Sequence, residues 1–166
     1  MSAISDTSPL NYLIRLGCSD VLEEIYSTVL APEAVFTELS HRGSRPEVRA
    51  WVANAPHWLQ WVKIDRLDLT LPAGLGTGER EAISLARHRP DNILLIDDRD
   101  GRVAAVQRNI EIAGTMTVLS EAALRGKLDF RETITTLKTL GFRISVDHES
   151  AILDRHEEKL RRMRLS

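Results

Sequence analysis

The sequence has few of the residues that stabilise a protein by means other than core packing. It contains one cysteine, Cys18, which excludes an internal disulfide and a thiolate metal cluster. Aromatic residues make up 5% of the 166 residues, and no apolar run approaches the length needed to cross a bilayer. No basic region followed by a long apolar stretch opens the chain. We therefore expect a cytoplasmic protein that makes no membrane contact.

Neither sign of charge dominates the sequence. The 22 basic and 24 acidic residues give a net charge of -2, which excludes strong attraction of the whole surface to nucleic acid. Any nucleic-acid site must therefore be local. The apolar share of 43% is enough to build one core between a sheet and its helices, and no internal repeat is present. These features predict a single domain over residues 1–166.

Short apolar segments alternate with amphipathic segments along the chain. Strands are predicted immediately before Asp6 and over residues 28–31, 58–64, 92–96 and 110–113. The run over residues 92–96 is mainly apolar, as expected of a parallel strand that is buried on both faces. Ser8-Pro9 predicts a helix with Ser8 as its cap and proline at the first helical position. The alternation predicts an α/β fold, a three-layer α/β/α sandwich with a central, mainly parallel sheet.

Acidic residues follow two of the predicted strands. Asp6 follows the first strand and Asp97-Asp98 follow residues 92–96. Ligands bind beyond the carboxyl ends of strands in such sheets, so these carboxylates would share one crevice if the two strands are neighbours. Oxygen-rich clusters without cysteine suit Mg²⁺ or Mn²⁺. The chemistry indicated is metal-assisted hydrolysis of phosphodiesters. At least one of Asp97, Asp98 and Asp100 is expected to cap the following helix instead.

Other motifs near these acids have more ordinary explanations. The glycine-rich segment over residues 74–78 lacks the Lys-Ser/Thr ending of a nucleotide loop, and we predict a flexible connection there. The side chains of Arg42, Arg45, Arg87 and Arg99 lie near the acids in sequence and could hold RNA phosphates. Solvated arginines are the more common explanation for such residues.

Four segments, which occur in the family's order and span most of the chain, resemble PIN-domain proteins. They are SDTSPL (residues 5–10), APEAVFTEL (31–39), GEREAISLA (78–86) and LLIDDR (94–99). The resemblance is greatest to a bacterial and archaeal subgroup of predicted nucleic-acid-binding proteins related to toxin ribonucleases. It also implies that the part of the chain from about residue 127 is a helical C-terminal extension beyond the smallest toxins.

The resemblance implies a metal-dependent ribonuclease site of four acids, which are Asp6, Glu38, Glu79 and Asp97. Mg²⁺ or Mn²⁺ would be the cofactor, and Asp98 is a further candidate metal ligand beside Asp97. Glu81 stays open as an alternative to Glu79, because many family members carry an acid nearer the middle of that helix. Without the resemblance, Glu38 would be an ordinary solvent-facing helix residue, and the helix dipole alone would favour Glu79.

The resemblance also implies partners. Single-stranded RNA would be the substrate, a small antitoxin protein would restrain the enzyme, and two copies would pair as a homodimer. The tryptophans Trp51, Trp58 and Trp61 could supply apolar contact for such a dimer, although core packing explains them equally well. The alternative function is a PIN-fold module that binds nucleic acid or regulates another protein and has lost catalysis.

Overall fold

The computed structural model describes residues 1–166 and contains one five-stranded sheet. Its strands are β1 (Ser2–Ser5), β2 (Thr28–Pro32), β3 (Leu59–Val62), β4 (Ile93–Leu95) and β5 (Ile112–Ala113). The strand order is β3-β2-β1-β4-β5, and every neighbouring pair is parallel. All five predicted strands are therefore confirmed, as is the parallel sheet.

Nine helices connect or follow the strands. They are α1 (Thr7–Arg15), α2 (Val21–Tyr26), α3 (Glu33–Ser40), α4 (Pro46–Ala53), α5 (Thr77–Arg87), α6 (Arg99–Val106), α7 (Thr115–Leu124), α8 (Phe130–Thr139) and α9 (Val146–Leu165). The chain moves from β1 outward to β3, then crosses back to β4 and β5 on the other side. Because such crossovers are right-handed, α1 to α4 cover one face of the sheet and α5 and α6 cover the other. The three-layer fold class is confirmed.

The central strands are apolar on both sides because helices cover both faces. Ile4 of β1 pairs in register with Leu30 of β2 and with Leu94 of β4. These three side chains form one core with residues of α5, among them Ile83. Ala3 is fully buried as well, although it points to the opposite face. The burial of β1 and β4 on both faces fixes their carboxyl ends side by side.

The start of α1 differs from the prediction. The helix begins at Thr7, and Asp6 occupies the cap position with an extended backbone and no side-chain capping hydrogen bond. The prediction that Ser8 caps this helix is wrong, because Ser8 lies inside the helix. Its hydroxyl instead donates to the carboxylate of Asp97.

The chain divides into two compact units, Met1–Thr115 and Met116–Ser166. The first contains the whole sheet and helices α1 to α6. The second contains α8, α9 and all but the first residue of α7. The single domain with an extension from about residue 127 stays a prediction, although the second unit begins earlier, at Met116. None of the nine helices is long and apolar enough to cross a membrane.

Two of the tryptophans pack against each other. Trp58 is 3% exposed, and its ring lies 6.0 Å from that of Trp51, between centroids. Trp61 makes an edge-to-face contact with Phe36 at 5.0 Å. Trp58 is therefore a core residue and offers no surface to a second copy of the chain.

Candidate active site

Asp6 and Asp97 lie at the carboxyl edge of two adjacent strands. The backbone N–H of Asp6 donates to the carbonyl of Leu95 at 2.9 Å, which ties the end of β1 to the end of β4. Their adjacency had been an assumption from sequence, and it is confirmed. Beside this edge is a cleft of about 290 Å³ that is lined by Asp6, Glu38 and Glu79.

Glu38 reaches the cleft from α3 and is held there by two donors. The hydroxyl of Thr7 donates to Oε2, and the backbone N–H of Gly78 donates to Oε1 at 2.9 Å. A Cβ atom on Gly78 would lie 2.7 Å from Oε2 of Glu38, so only glycine permits this approach. The glycine-rich segment predicted as a flexible connection therefore ends in a residue that contacts a site acid.

Asp97 is fixed by three hydrogen bonds. The hydroxyl of Ser8 donates to Oδ2 at 2.9 Å, and the hydroxyl of Thr115 donates to the same oxygen at 2.7 Å. The backbone N–H of Thr115 donates to Oδ1 at 2.7 Å. Ser8 also lines the cleft, so it connects Asp97 to the other acids.

Asp98 has a structural role that the sequence predicted for one aspartate of this group. Its carboxylate caps α6 by accepting hydrogen bonds from the backbone N–H groups of Asp100 and Gly101. Burial raises the pKa of Glu79, and the negative charge of Asp98 raises it further. A metal-ligand role for Asp98 stays a prediction.

The two glutamates that compete for the third acid position have different surroundings. Glu79 lines the cleft, whereas the carboxylate of Glu81 accepts a hydrogen bond from the backbone N–H of Ala34 at 3.0 Å. That bond satisfies one of the free donors in the first turn of α3. The structure thus brings Glu79 into the cleft and gives Glu81 a role in holding α3 against α5.

The acids form a concentration of negative charge with no ion pair to balance it. None of Asp6, Glu38, Glu79 and Asp97 pairs with a lysine or arginine. Burial, together with the charges of Glu79, Glu38 and Asp97 and against the opposing hydrogen bond of the Thr7 N–H, raises the pKa of Asp6 to about 7. Burial also raises the pKa of Glu79.

The donor chemistry of this cluster fits a hard divalent cation. As the side chains stand, no three Asp, Glu, His or Cys residues are close enough together to hold a metal ion. The cleft nevertheless offers only oxygen donors, and Asp6 is buried where its ionised form is unfavourable without a compensating positive charge. Asp6, Glu38, Glu79 and Asp97 are the residues that would hold such an ion.

The arginines near the acids in sequence differ in their contacts. Arg87 pairs with Asp68 at 2.8 Å and is therefore engaged away from the cleft. The side chains of Arg42, Arg45 and Arg99 are exposed, so a phosphate-binding role for them stays a prediction.

Sequence reasoning missed four residues that position the acids, which are Thr7, Ser8, Gly78 and Thr115. The only available signal was the position of Thr7 and Ser8 directly after Asp6.

Comparisons with known proteins address the family and the fold. A family model described as "DUF3368: PIN domain" matches residues 2–158. Among solved structures, the chain is similar to a PilT N-terminus domain protein from the hyperthermophilic archaeon Sulfolobus solfataricus P2, with a TM-score of 0.51 and 14% identity. The alignment covers 74% of this chain and 93% of that protein, and at this identity it shows the fold alone. No curated protein sequence matches the chain.

Proposed function

Because this chain belongs to the PIN-domain family, whose fold is generally that of a nuclease, we propose that it is a metal-dependent endoribonuclease acting on single-stranded RNA. The observation that carries the proposal is that Asp6, Glu38 and Glu79 line one cleft, that Asp97 lies beside Asp6 at the end of the neighbouring strand, and that no lysine or arginine forms an ion pair with any of them. Four carboxylates brought together in this way destabilise one another unless they bind positive charge. A cation that enters the cleft would offset this repulsion and could also hold a phosphate group of the substrate.

Mg²⁺ or Mn²⁺, when bound, supplies a more acidic water molecule and positive charge for the phosphate. The four acids that would hold the ion form two pairs, which differ in their hydrogen-bond partners. Thr7 and Gly78 orient Glu38, and Ser8 and Thr115 orient Asp97. Backbone N–H groups, of Thr7 and of Gly76, contact the carboxylates of Asp6 and Glu79 respectively, and no side-chain hydroxyl does so. Because the pKa of Asp6 is raised to about 7, its protonated form would have to lose the proton before the carboxylate could hold an ion.

The biological part of the proposal rests on the resemblance to toxin ribonucleases. The protein would act as the toxin of a toxin–antitoxin pair, as a homodimer, and a small antitoxin protein would restrain it in the cytoplasm. Expression of the protein alone in a bacterial host should arrest growth, whereas Asp6→Asn should not. Growth that continues with the wild-type protein present in soluble form would contradict the toxin role and leave the nuclease role to be judged by cleavage.

Cleavage of labelled single-stranded RNA by the purified protein tests the nuclease proposal. Activity should appear with Mn²⁺ or Mg²⁺ and disappear with EDTA. Glu79→Gln should lower the rate by at least about 100-fold, because it removes a cleft carboxylate. Its matched control, Glu81→Gln, removes a carboxylate two residues away that accepts a hydrogen bond from Ala34 and does not line the cleft, and it should retain most of the activity.

Two outcomes would reject the proposed chemistry. Cleavage that survives in EDTA would exclude a metal mechanism, and cleavage that survives Asp6→Asn would exclude this cleft as the active site. A protein that binds RNA but never cleaves it would support the alternative of a binding module that has lost catalysis.

A further inference from the structure

The acidic cleft continues along one side of helix α1. Asn11 and Tyr12 line it together with Asp6, Glu38 and Glu79. Both residues are half-buried, and neither can bind a hard cation as well as the neighbouring carboxylates can. The cleft therefore has two chemically different parts, one of carboxylates and one of an amide and an aromatic ring.

The helix pattern explains why these side chains share the cleft. Residues 8, 11, 12 and 15 are spaced so that they lie on one side of a helix. The opposite side of α1 carries Leu10, Leu13 and Ile14, which are buried in the core. The hydroxyl of Ser8, the amide of Asn11 and the ring of Tyr12 line the cleft, and Arg15 follows them one turn further along the same side of the helix.

The chemistry of this second part suits a nucleotide. The guanidinium of Arg15 lies over the ring of Tyr12, 5.7 Å from its centroid. An aromatic ring stacks on an unpaired base of any sequence, and an arginine neutralises phosphate. The amide of Asn11 can both donate to and accept from the edge of a base. The carboxylates themselves offer nothing that a base could stack on.

We propose that Asn11, Tyr12 and Arg15 form a subsite for one unpaired nucleotide beside the phosphodiester that is cleaved. Tyr12 stacks on the base, Arg15 neutralises the adjacent phosphate, and Asn11 bonds to the base edge. This inference rests on the proposed function and adds a reason for single-stranded specificity. A base that is paired and stacked within a duplex cannot reach Tyr12.

Binding, measured apart from cleavage, tests the subsite. The background is Asp6→Asn, which should not cut, and the readout is the fluorescence anisotropy of a labelled oligouridine of about 12 nucleotides. The same oligomer without its bases is the second ligand. Tyr12→Leu should weaken binding of the intact RNA by about 5- to 50-fold and leave binding of the abasic RNA unchanged. Tyr12→Phe keeps the ring and should bind like the background protein.

Arg15→Gln should weaken binding of both RNAs and reduce the salt dependence by about one counterion. Arg89→Gln is the matched control, because Arg89 follows the far end of α5 and its side chain is exposed. It should leave both affinities unchanged. Circular dichroism establishes that each variant is folded. If Tyr12→Leu does not fold, the background protein still decides the matter, since equal affinity for intact and abasic RNA would overturn the subsite.

The outcomes separate this inference from the proposed function. Preference for intact RNA that depends on Tyr12, without Mn²⁺-dependent cleavage by the wild-type protein, would keep the subsite and reject the nuclease. If the wild-type protein cleaves RNA and Tyr12→Leu binds RNA normally, the nuclease proposal is kept and the subsite is rejected. The same conclusion follows if Tyr12→Leu weakens the binding of intact and abasic RNA by the same factor. Absence of any RNA binding would reject the subsite.

Discussion

The side chain of Asp6 is 4% exposed and has the charges of Glu38, Glu79 and Asp97 acting on it. An ionised carboxylate in this position can bind a cation, and it destabilises the folded state when no cation is bound. Because burial and these charges raise its pKa to about 7, the folded state without metal holds a proton that the unfolded state releases near pH 4. The stability that Asp6 contributes is therefore complete below about pH 4 and is lost as the pH rises through 7.

Replacement of Asp6 by asparagine should stabilise the metal-free protein at alkaline pH. The ionised carboxylate disappears, so the free energy of unfolding at pH 8 should rise by roughly 1–3 kcal/mol, whereas at pH 4 it should change little. Urea unfolding in EDTA at both pH values measures this. Equal effects at pH 4 and pH 8 would show that ionisation of Asp6 is not the cause.

Substitution of Gly78 by alanine should separate activity from stability. The added Cβ would lie 2.7 Å from Oε2 of Glu38, and the end of that flexible side chain must move away. Activity should fall at least about 10-fold because Glu38 is displaced, while alanine suits a helix as well as glycine or better. Gly74→Ala is the control, since a Cβ there meets no atom within 4 Å. Full activity of Gly78→Ala would mean that the position of Glu38 does not matter.

Asp6 and Gly78 show which parts of the site can be predicted from the sequence and which cannot. Asp6 and Asp97 were identifiable because acids at the ends of apolar strands have a known geometric consequence. Glu38 and Glu79 followed only from the family resemblance, since each resembles an ordinary helix residue. Gly78 and Thr115 could not be found from the sequence, because their role depends on which side chain another segment places beside them.

At the scale of secondary-structure elements, the segment between β3 and α5 sets where Glu79 and Gly78 lie. It is held by apolar and ionic contacts. Leu71 and Leu75 are buried in the core, and Asp68 is 6% exposed. The carboxylate of Asp68 accepts hydrogen bonds from Arg108 at 2.7 Å and from Arg87 at 2.8 Å. This segment is thereby tied to α5 and to the turn that follows α6.

Replacement of Asp68 by asparagine should lower the free energy of unfolding by about 2–4 kcal/mol at pH 7, because two arginines lose their charged partner. Hydrogen bonds from Thr70 and Arg108 lower the pKa of Asp68. Its contribution is therefore present above about pH 4 and is lost as the pH falls further, so the difference between variant and wild type should shrink in acid. Asp65→Asn, an exposed residue of the same segment, is the control for denaturation experiments. A difference that stays constant down to pH 2 would contradict the assignment.

The elements themselves were largely predictable from local pattern. The strand over residues 28–31 was predicted from its β-prone residues, and the strand over residues 92–96 was predicted because parallel strands that are buried on both faces are mainly apolar. The start of α1 was misplaced because Ser8 has the chemistry of a cap, and its long-range bond to Asp97 prevails over that local preference. The last strand was predicted over residues 110–113 and spans only Ile112–Ala113, since pairing with β4 limits its length.

At the scale of the whole molecule, the net charge is only -2, yet several acids are concentrated at one cleft without an ion pair. Binding of a metal ion should therefore be coupled to the stability of the folded state. An ion that binds only the folded state stabilises it by about 2.7 kcal/mol at 100 times its dissociation constant. Mn²⁺ or Mg²⁺ should therefore raise the Tm of the wild-type protein. The increase should be larger at pH 8 than at pH 5, because at pH 5 Asp6 still holds a proton with which the ion must compete.

The same thermal measurement on variants shows whether the stabilisation comes from the cleft. In EDTA at pH 8, Asp6→Asn should have a higher Tm than the wild-type protein. Addition of Mn²⁺ should raise the Tm of Asp6→Asn only slightly, so the difference between the two Tm values should become smaller or change sign. Glu81→Gln should lose some stability, yet keep the full response to Mn²⁺, because its contact with Ala34 lies outside the cluster. A metal response that is unchanged in Asp6→Asn would place the ion elsewhere on the protein. It would also remove the physical reason for keeping four acids at the edge of this sheet.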